Sequence, residues 1–208
     1  MENESLLLEQ AKSDPLAFGK LYDFYYKPIF AFLYCRTSHA ETAKDLTNET
    51  FFQALKNFQK YKPRKNISFK SWLFAIAVAQ IGNYYRRRAK VFEVTTEEAP
   101  ELMDKDEYRP DIAYQMGEDA EALKEQIQSL RVVMKRLEQK QQTILSLRFF
   151  SHMSVPEIAS VLSMKEGTVK SHIHRSLKKL QMMMTEDVPT HSGRERTVTA
   201  SYEVAFQA

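Results

Sequence analysis

The sequence predicts an all-α protein made of two small helical domains, a bundle followed by a helix-turn-helix unit, joined by an acidic flexible linker. Three observations predict it. Apolar residues recur at steps of three and four, the helical period, on both sides of one aperiodic stretch. Only five glycines and seven prolines in 208 residues leave few of the turns an all-β chain needs. Within that aperiodic stretch, Glu93 to Glu121, eleven carboxylates face only Lys105 and Arg109, a net of −9 in a chain whose total charge is +3. The flanks are therefore strongly basic, which points to polyanionic partners. Hydrophobic residues at 43% and aromatics at 12% are enough for real cores.

The first helix is expected to start at Asp14-Pro15, a capping side chain followed by proline at the first helical position. Phe18, Leu21, Tyr22, Tyr25, Ile29, Phe32 and Leu33 then form one face. A second helix spans about Ala40 to Tyr61, with Ala43, Thr47, Phe51, Ala54, Leu55 and Phe58 as its buried stripe. Its other side carries Asp45, Asn48, Glu49, Phe52 and Lys56. An aromatic in the middle of a polar stripe is either tucked under the following loop or the anchor of a protein-binding face.

After the Pro63 loop, Phe69, Trp72, Leu73 and Ile76 form one apolar stripe and Phe74, Val78, Ile81 and Tyr85 another, so this helix is covered on two sides. The run from Phe69 to Ile81 is interrupted by Lys70, Ser71 and Gln80 and is shorter than a membrane span, so it predicts a core helix and no membrane insertion. It ends in Asn83-Tyr84-Tyr85-Arg86-Arg87-Arg88. A basic helix end suits the helix dipole; stacking rings beside phosphate-pairing cations also suit single-stranded DNA. Val91 to Gly117 reads as linker. Leu123, Ile127, Leu130, Met134 and Leu137 resume the helical period, and Ile144, Leu145 and Leu147 follow in a short helix. The domains expected are 8–90 and 120–183, with linker 91–119 and a disordered tail 184–208.

Ser154-Val155-Pro156-Glu157 is a capping box. It opens a short helix through Leu162, and a tight turn at Ser163-Met164-Lys165 leads into a longer helix with Val169, Ile173, Leu177 and Leu180 facing inward. The outward face carries Ser171, His174, Arg175 and Lys178, joined by Thr168 and Lys170 near the start. Arg and Lys can read guanine acceptors in a major groove and other basic residues can clamp phosphates. The bland alternative is a solvated basic helix.

The single Cys35 excludes an internal disulfide and a cysteine-based zinc site, and Met1 to Gln10 lacks signal-peptide layout, so a reducing cytoplasm is expected. His172 and His174, two apart on a helix, point in different directions and predict no metal site. Neither a Ser-His-acid set nor a glycine-rich phosphate loop can be placed, so no enzyme and no cofactor are expected.

Gly167-Thr168-Val169-Lys170-Ser171-His172-Ile173-His174-Arg175-Ser176-Leu177-Lys178-Lys179-Leu180 resembles the end of region 4 in extracytoplasmic-function RNA polymerase sigma factors. Asp45-Leu46-Thr47-Asn48-Glu49-Thr50-Phe51 resembles their region 2.2. Trp72 to Ala77, continuing to Asn83-Tyr84 and Arg86-Arg87, resembles regions 2.3 and 2.4. The resemblance implies that Asp45, Asn48, Glu49 and Phe52 dock on the clamp helices of the polymerase largest subunit. It implies that Asn83, Tyr84, Tyr85 and Arg86 to Arg88 hold the melted minus-10 element. Thr168, Lys170, Ser171, His174, Arg175 and Lys178 would meet the duplex minus-35 element. It also implies an anti-sigma protein, often membrane-anchored. The chain departs from the pattern at Ala79, where the family often has asparagine, at Ser163, where it often has glycine, and in the tail. Two alternatives stand beside it: a LuxR-like helix-turn-helix regulator acting without polymerase core, and an enzyme with an appended DNA-binding domain.

Overall fold

A computed structural model describes residues 4–62, 68–94 and 133–186. All regular structure among them is helical: α1 (Glu4–Gln10), α2 (Pro15–Thr37), α3 (Ala40–Asn57) with a 3-10 turn (Phe58–Lys60), α4 (Phe69–Val94), α5 (Gln139–Leu145) with a π-helical turn (Ser146–Phe150), α6 (Val155–Leu162) and α7 (Glu166–Glu186). Leu123, Ile127 and Leu130, most of the expected linker and most of the tail lie outside the described residues. α4 continues to Val94 and α7 to Glu186, each a few residues past the boundary the sequence suggests.

The helix ends follow local chemistry. Asp14 caps α2, its carboxylate accepting from the Leu16 amide at 2.9 Å with Pro15 at the first position. Ser38 closes the helix with φ 56°, its amide donating to the Tyr34 carbonyl, and His39 caps α3 by accepting the Thr42 amide on Nδ1 at 3.2 Å. This tight junction turns the chain back, so that α3 packs along α2. α1 escapes sequence reading because it has seven residues and one buried side chain, Leu8, too few to show a period. Tyr25 ties it down by donating to Glu4 at 2.7 Å. Burial, followed by that bond, raises the Tyr25 phenol's pKa.

α2, α3 and α4 surround an aromatic core in which Phe32, Leu21, Ile29, Leu33, Leu73 and Phe74 are fully enclosed. Rings meet edge to face, Phe18 with Phe58 at 5.3 Å and Phe32 with Phe74 at 5.7 Å. Thr47 and Thr50, buried on α3, return their hydroxyls to the Ala43 and Leu46 carbonyls, which removes the cost of burying them. α4 is covered on two sides as expected, by α2 and α3 and, from the second half of the chain, by α6.

The α3 stripe needs one correction. Taking Phe51 as zero and 100° per residue, the buried residues from Ala43 to Phe58 fall on one side of it, while Leu55 falls about 40° to the other. Leu55 accordingly stands 53% exposed, beside Phe52. The helix also stops at Asn57 and not Tyr61, the chain tightening into the 3-10 turn there.

In the second half, Val133, Met134, Leu137, Leu145 and Leu180 form a small cluster of their own, with Leu177 against it. Ile144, Leu147, Met153, Ile158, Ala159, Val161 and Val169 instead join the core of the first half, giving one continuous apolar interior.

Candidate nucleic-acid interface

The helix-turn-helix forms from local signals. The Ser154 hydroxyl accepts the Glu157 amide at 3.4 Å and Glu157 accepts the Ser154 amide at 2.8 Å, the reciprocal capping box. α6 ends in a Schellman-like turn, in which the Met164 amide donates to the Ala159 carbonyl at 2.9 Å and that of Ser163 to Ser160 at 3.3 Å. The turn requires a left-handed residue, and Ser163 adopts φ 51°. Serine carries this conformation at a modest steric cost that glycine would avoid.

α7 then divides by side. Val169, Ser176 and Leu180 are buried, with Ile173 and Leu177 partly so. Thr168, Lys170, Ser171, His174, Arg175 and Lys178 are all exposed. Ser171 returns its hydroxyl to the Gly167 carbonyl at 2.8 Å, and Arg175 Nε donates to the Ser171 carbonyl at 3.2 Å, so the guanidinium is steered along the outer face with its terminal nitrogens able to turn outward. His172 is turned toward α5. Burial first, then Lys140 and Arg175, lower its pKa, which favours a neutral ring.

The end of α4 is built otherwise. Arg86, Arg87 and Arg88 are exposed, while Asn83, Tyr84 and Tyr85 are half-buried. Arg86 donates to the Asn83 side chain and Arg88 to the Tyr84 hydroxyl at 3.2 Å, pairs three and four residues apart that hold the cations along the helix. Tyr85 continues the Val78 and Ile81 stripe and donates its hydroxyl to the Arg36 carbonyl. Arg36, at the last turn of α2, lies 5.4 Å from the Tyr85 ring centroid and is only 6% exposed. Burial lowers the Arg36 pKa and raises that of Tyr85, each group opposing the other's shift. Ala79 is exposed one turn before Asn83, on the same side of α4.

On α3, Asp45, Asn48, Glu49 and Phe52 are exposed together, Phe52 at 59%. Of the two readings of Phe52, the structure shows the outward one. Leu55 extends the apolar centre of this face, and Glu49 accepts from Gln53 at 2.8 Å at its edge. Leu55 escapes sequence reading because its position lies at the margin of the buried arc. Arg36 escapes it too, since a cation at a helix C-terminus is ordinarily solvated. Among the described residues no three His, Cys, Asp or Glu side chains converge as metal ligands, and no helix is long and apolar enough to cross a membrane.

A family model described as Sigma-70 region 2 matches residues 21–91, and one described as Sigma-70, region 4 matches residues 127–180. Among curated relatives, an RNA polymerase sigma factor of Bacillus subtilis, YlaC, is 32% identical over 166 residues, covering 80% of this chain and 91% of the relative. The extracytoplasmic-function (ECF) sigma factor BldN of Streptomyces coelicolor is 30% identical over 182 residues, 87% of this chain and 66% of the relative. Among solved structures, CnrH in complex with the cytosolic domain of CnrY superposes with a TM-score of 0.64 at 20% identity, covering 88% of this chain and 97% of that one. The sigma factor RpoE, in complex with the anti-sigma factor NepR from Bartonella quintana, gives 0.59 at 19%, covering 82% and 98%. At these identities the structural likeness concerns the fold.

Proposed function

The chain belongs to the sigma-70 family of RNA polymerase sigma factors, in its extracytoplasmic-function group, and on that premise we propose that it binds core polymerase and directs it to promoters by holding a minus-35 and a minus-10 element. Residues 8–90 would be the unit that binds core and melts DNA, 120–183 the unit that reads the minus-35 duplex, and 91–119 the acidic connection through the polymerase channel. The observation that carries this over a free-standing helix-turn-helix regulator is the α3 face. Phe52 at 59% and Leu55 at 53% exposed, ringed by Asp45, Asn48, Glu49 and Lys56, form an apolar centre with a polar rim of mixed charge, which suits a protein surface and not DNA.

Thr168, Lys170, Ser171, His174, Arg175 and Lys178 would enter the minus-35 major groove, with Arg175 reading a base edge and Lys178 a phosphate. Asn83, Tyr84, Tyr85 and Arg86 to Arg88 would hold the melted strand by stacking and charge. The chain would thus supply specificity to a catalyst and perform no chemistry, acting in the cytoplasm with the polymerase and under an anti-sigma factor. Replacing Phe52 with alanine and Glu49 with lysine tests the carrying observation. Co-purification with core polymerase should fall at least ten-fold while helical content by circular dichroism is unchanged. Unchanged co-purification would show that the face is merely solvated.

A further inference from the structure

Between the end of α2, the middle of α4 and the start of α5, at the seam of the two halves, lies an open-sided pocket of about 210 Å³. Its apolar lining is Val78 and Ile81 of α4, the Tyr85 ring and Leu162 of α6. Its charged members are both cations, the buried Arg36 and the exposed Lys140, and no carboxylate lines it. An apolar cavity of about 150 Å³ already accommodates benzene, so this pocket has room for a ligand of about ten non-hydrogen atoms.

Two independent features give the pocket its character. Gly82 stands in the interior of α4 and lines the pocket, and a Cβ built there would meet nothing within 4 Å. Glycine inside a helix is destabilising relative to alanine. No close approach of another element requires it here, so what it contributes is open space. Arg36 is the second feature. Only 6% exposed, it donates through Nη1 to the Gln142 side chain and through Nη2 to the Gln139 carbonyl at 3.5 Å, both on α5, and lies against the Tyr85 ring. All three partners are neutral, and Nε has no hydrogen-bond partner. A guanidinium so enclosed carries a desolvation cost that neutral contacts offset only in part, and an anion beside it would offset more.

We propose that this pocket is a binding site for a small carboxylate with an aromatic or branched aliphatic body, about ten non-hydrogen atoms in all. The positive charge of Arg36 and Lys140 attracts the carboxylate. The body lies on Val78, Ile81 and Leu162, in the space that Gly82 leaves open. Because the lining comes from both halves of the chain, the ligand binds the folded protein and not the unfolded one, and its presence raises the melting temperature. The site is independent of the sigma-factor reading, and its failure would leave that reading untouched.

The test is isothermal titration calorimetry of the full-length chain with benzoate, phenylacetate and 4-methylpentanoate, each beside its neutral amide. We expect saturable binding of at least one acid with a Kd at or below about 1 mM, and at least ten-fold weaker binding of the matching amide. The melting temperature should rise with the concentration of that acid. Gly82→Leu fills the open space and should lower the affinity at least ten-fold at unchanged helical content. Lys140→Gln, a change at an exposed position, should lower it about three-fold. Silence of all three acids overturns the proposal, as does equal binding of acid and amide, or undiminished binding to Gly82→Leu. If Gly82→Leu loses helical content, Lys140→Gln decides, and an unchanged affinity there overturns the assignment.

Discussion

The basic row of α7 and the arginine end of α4 carry similar charge, yet they are anchored in opposite ways. On α7 every proposed DNA-facing side chain from Thr168 to Lys178 is exposed, and the helix is aimed by a capped partner helix and a buried opposite side. On α4 the arginines are exposed but the aromatic residues beside them are half-buried, and Tyr85 is tied to Arg36. The difference teaches that a surface for duplex DNA can be presented ready-made. The surface proposed for unpaired bases draws on rings that also pack, so Tyr84 and Tyr85 stand only half-exposed.

The sharpest way to break the comparison is to ask whether both surfaces hang on one core. Phe74 is fully buried in the cluster shared by both halves, and Phe74→Ala should cost about 3–5 kcal/mol. A single thermal transition should move down as a whole, followed by circular dichroism. Two transitions, with the second unmoved, would show that the halves melt independently.

At the α4 end, Tyr84→Ala with Arg87→Ala should impair promoter opening on duplex DNA more than on a template with the minus-10 bubble already open, by about 1–3 kcal/mol for a lost stacking contact. The check is open-complex formation on both templates. Equal loss on both would mean that these residues attract DNA by charge alone.

At the α7 row, Arg175→Ala should flatten the dependence on minus-35 sequence by about 1–3 kcal/mol, whereas Lys178→Ala should weaken all promoters evenly and lower the salt dependence. Transcription from a panel of minus-35 point variants at two salt concentrations separates them. Retention of the full wild-type ranking by Arg175→Ala would remove it from base contact.

How far the sequence led follows from the same physics. The helix-turn-helix was legible to the residue because Ser154, Glu157 and the Val169 to Leu180 spacing are local signals, each acting within a turn or two. The α3 stripe was legible except at Leu55, where about 40° of helix rotation decides between core and surface. What could not be read was the seam. Arg36 and Gln142 lie far apart in the chain, and their meeting depends on how two helical units dock, which no period encodes. Tyr85 was placed both in a core stripe and among the DNA-holding residues, and the structure shows why a single position satisfies the first description in this packed state.

The smallest effect expected is on pH. His172 binds its proton less readily when folded, owing to burial and to Lys140 and Arg175. As pH falls below about 6.5 the unfolded chain takes up the proton first, so stability declines on acidification. Melting temperature should be slightly lower at pH 5.5 than at pH 7.5, and His172→Gln should lessen the difference. A steeper fall in the variant would contradict the assignment.

The central claim is that this chain acts only as part of a polymerase. Genomic DNA fragments are passed over immobilised core polymerase, over the chain alone and over the two together, and the retained DNA is sequenced. The account predicts fragments retained only by the pair, sharing two short motifs about 25 base pairs apart, or about 85 Å of duplex. Retention of the same fragments by the chain alone, around one motif, would contradict it and make the protein a free-standing helix-turn-helix regulator.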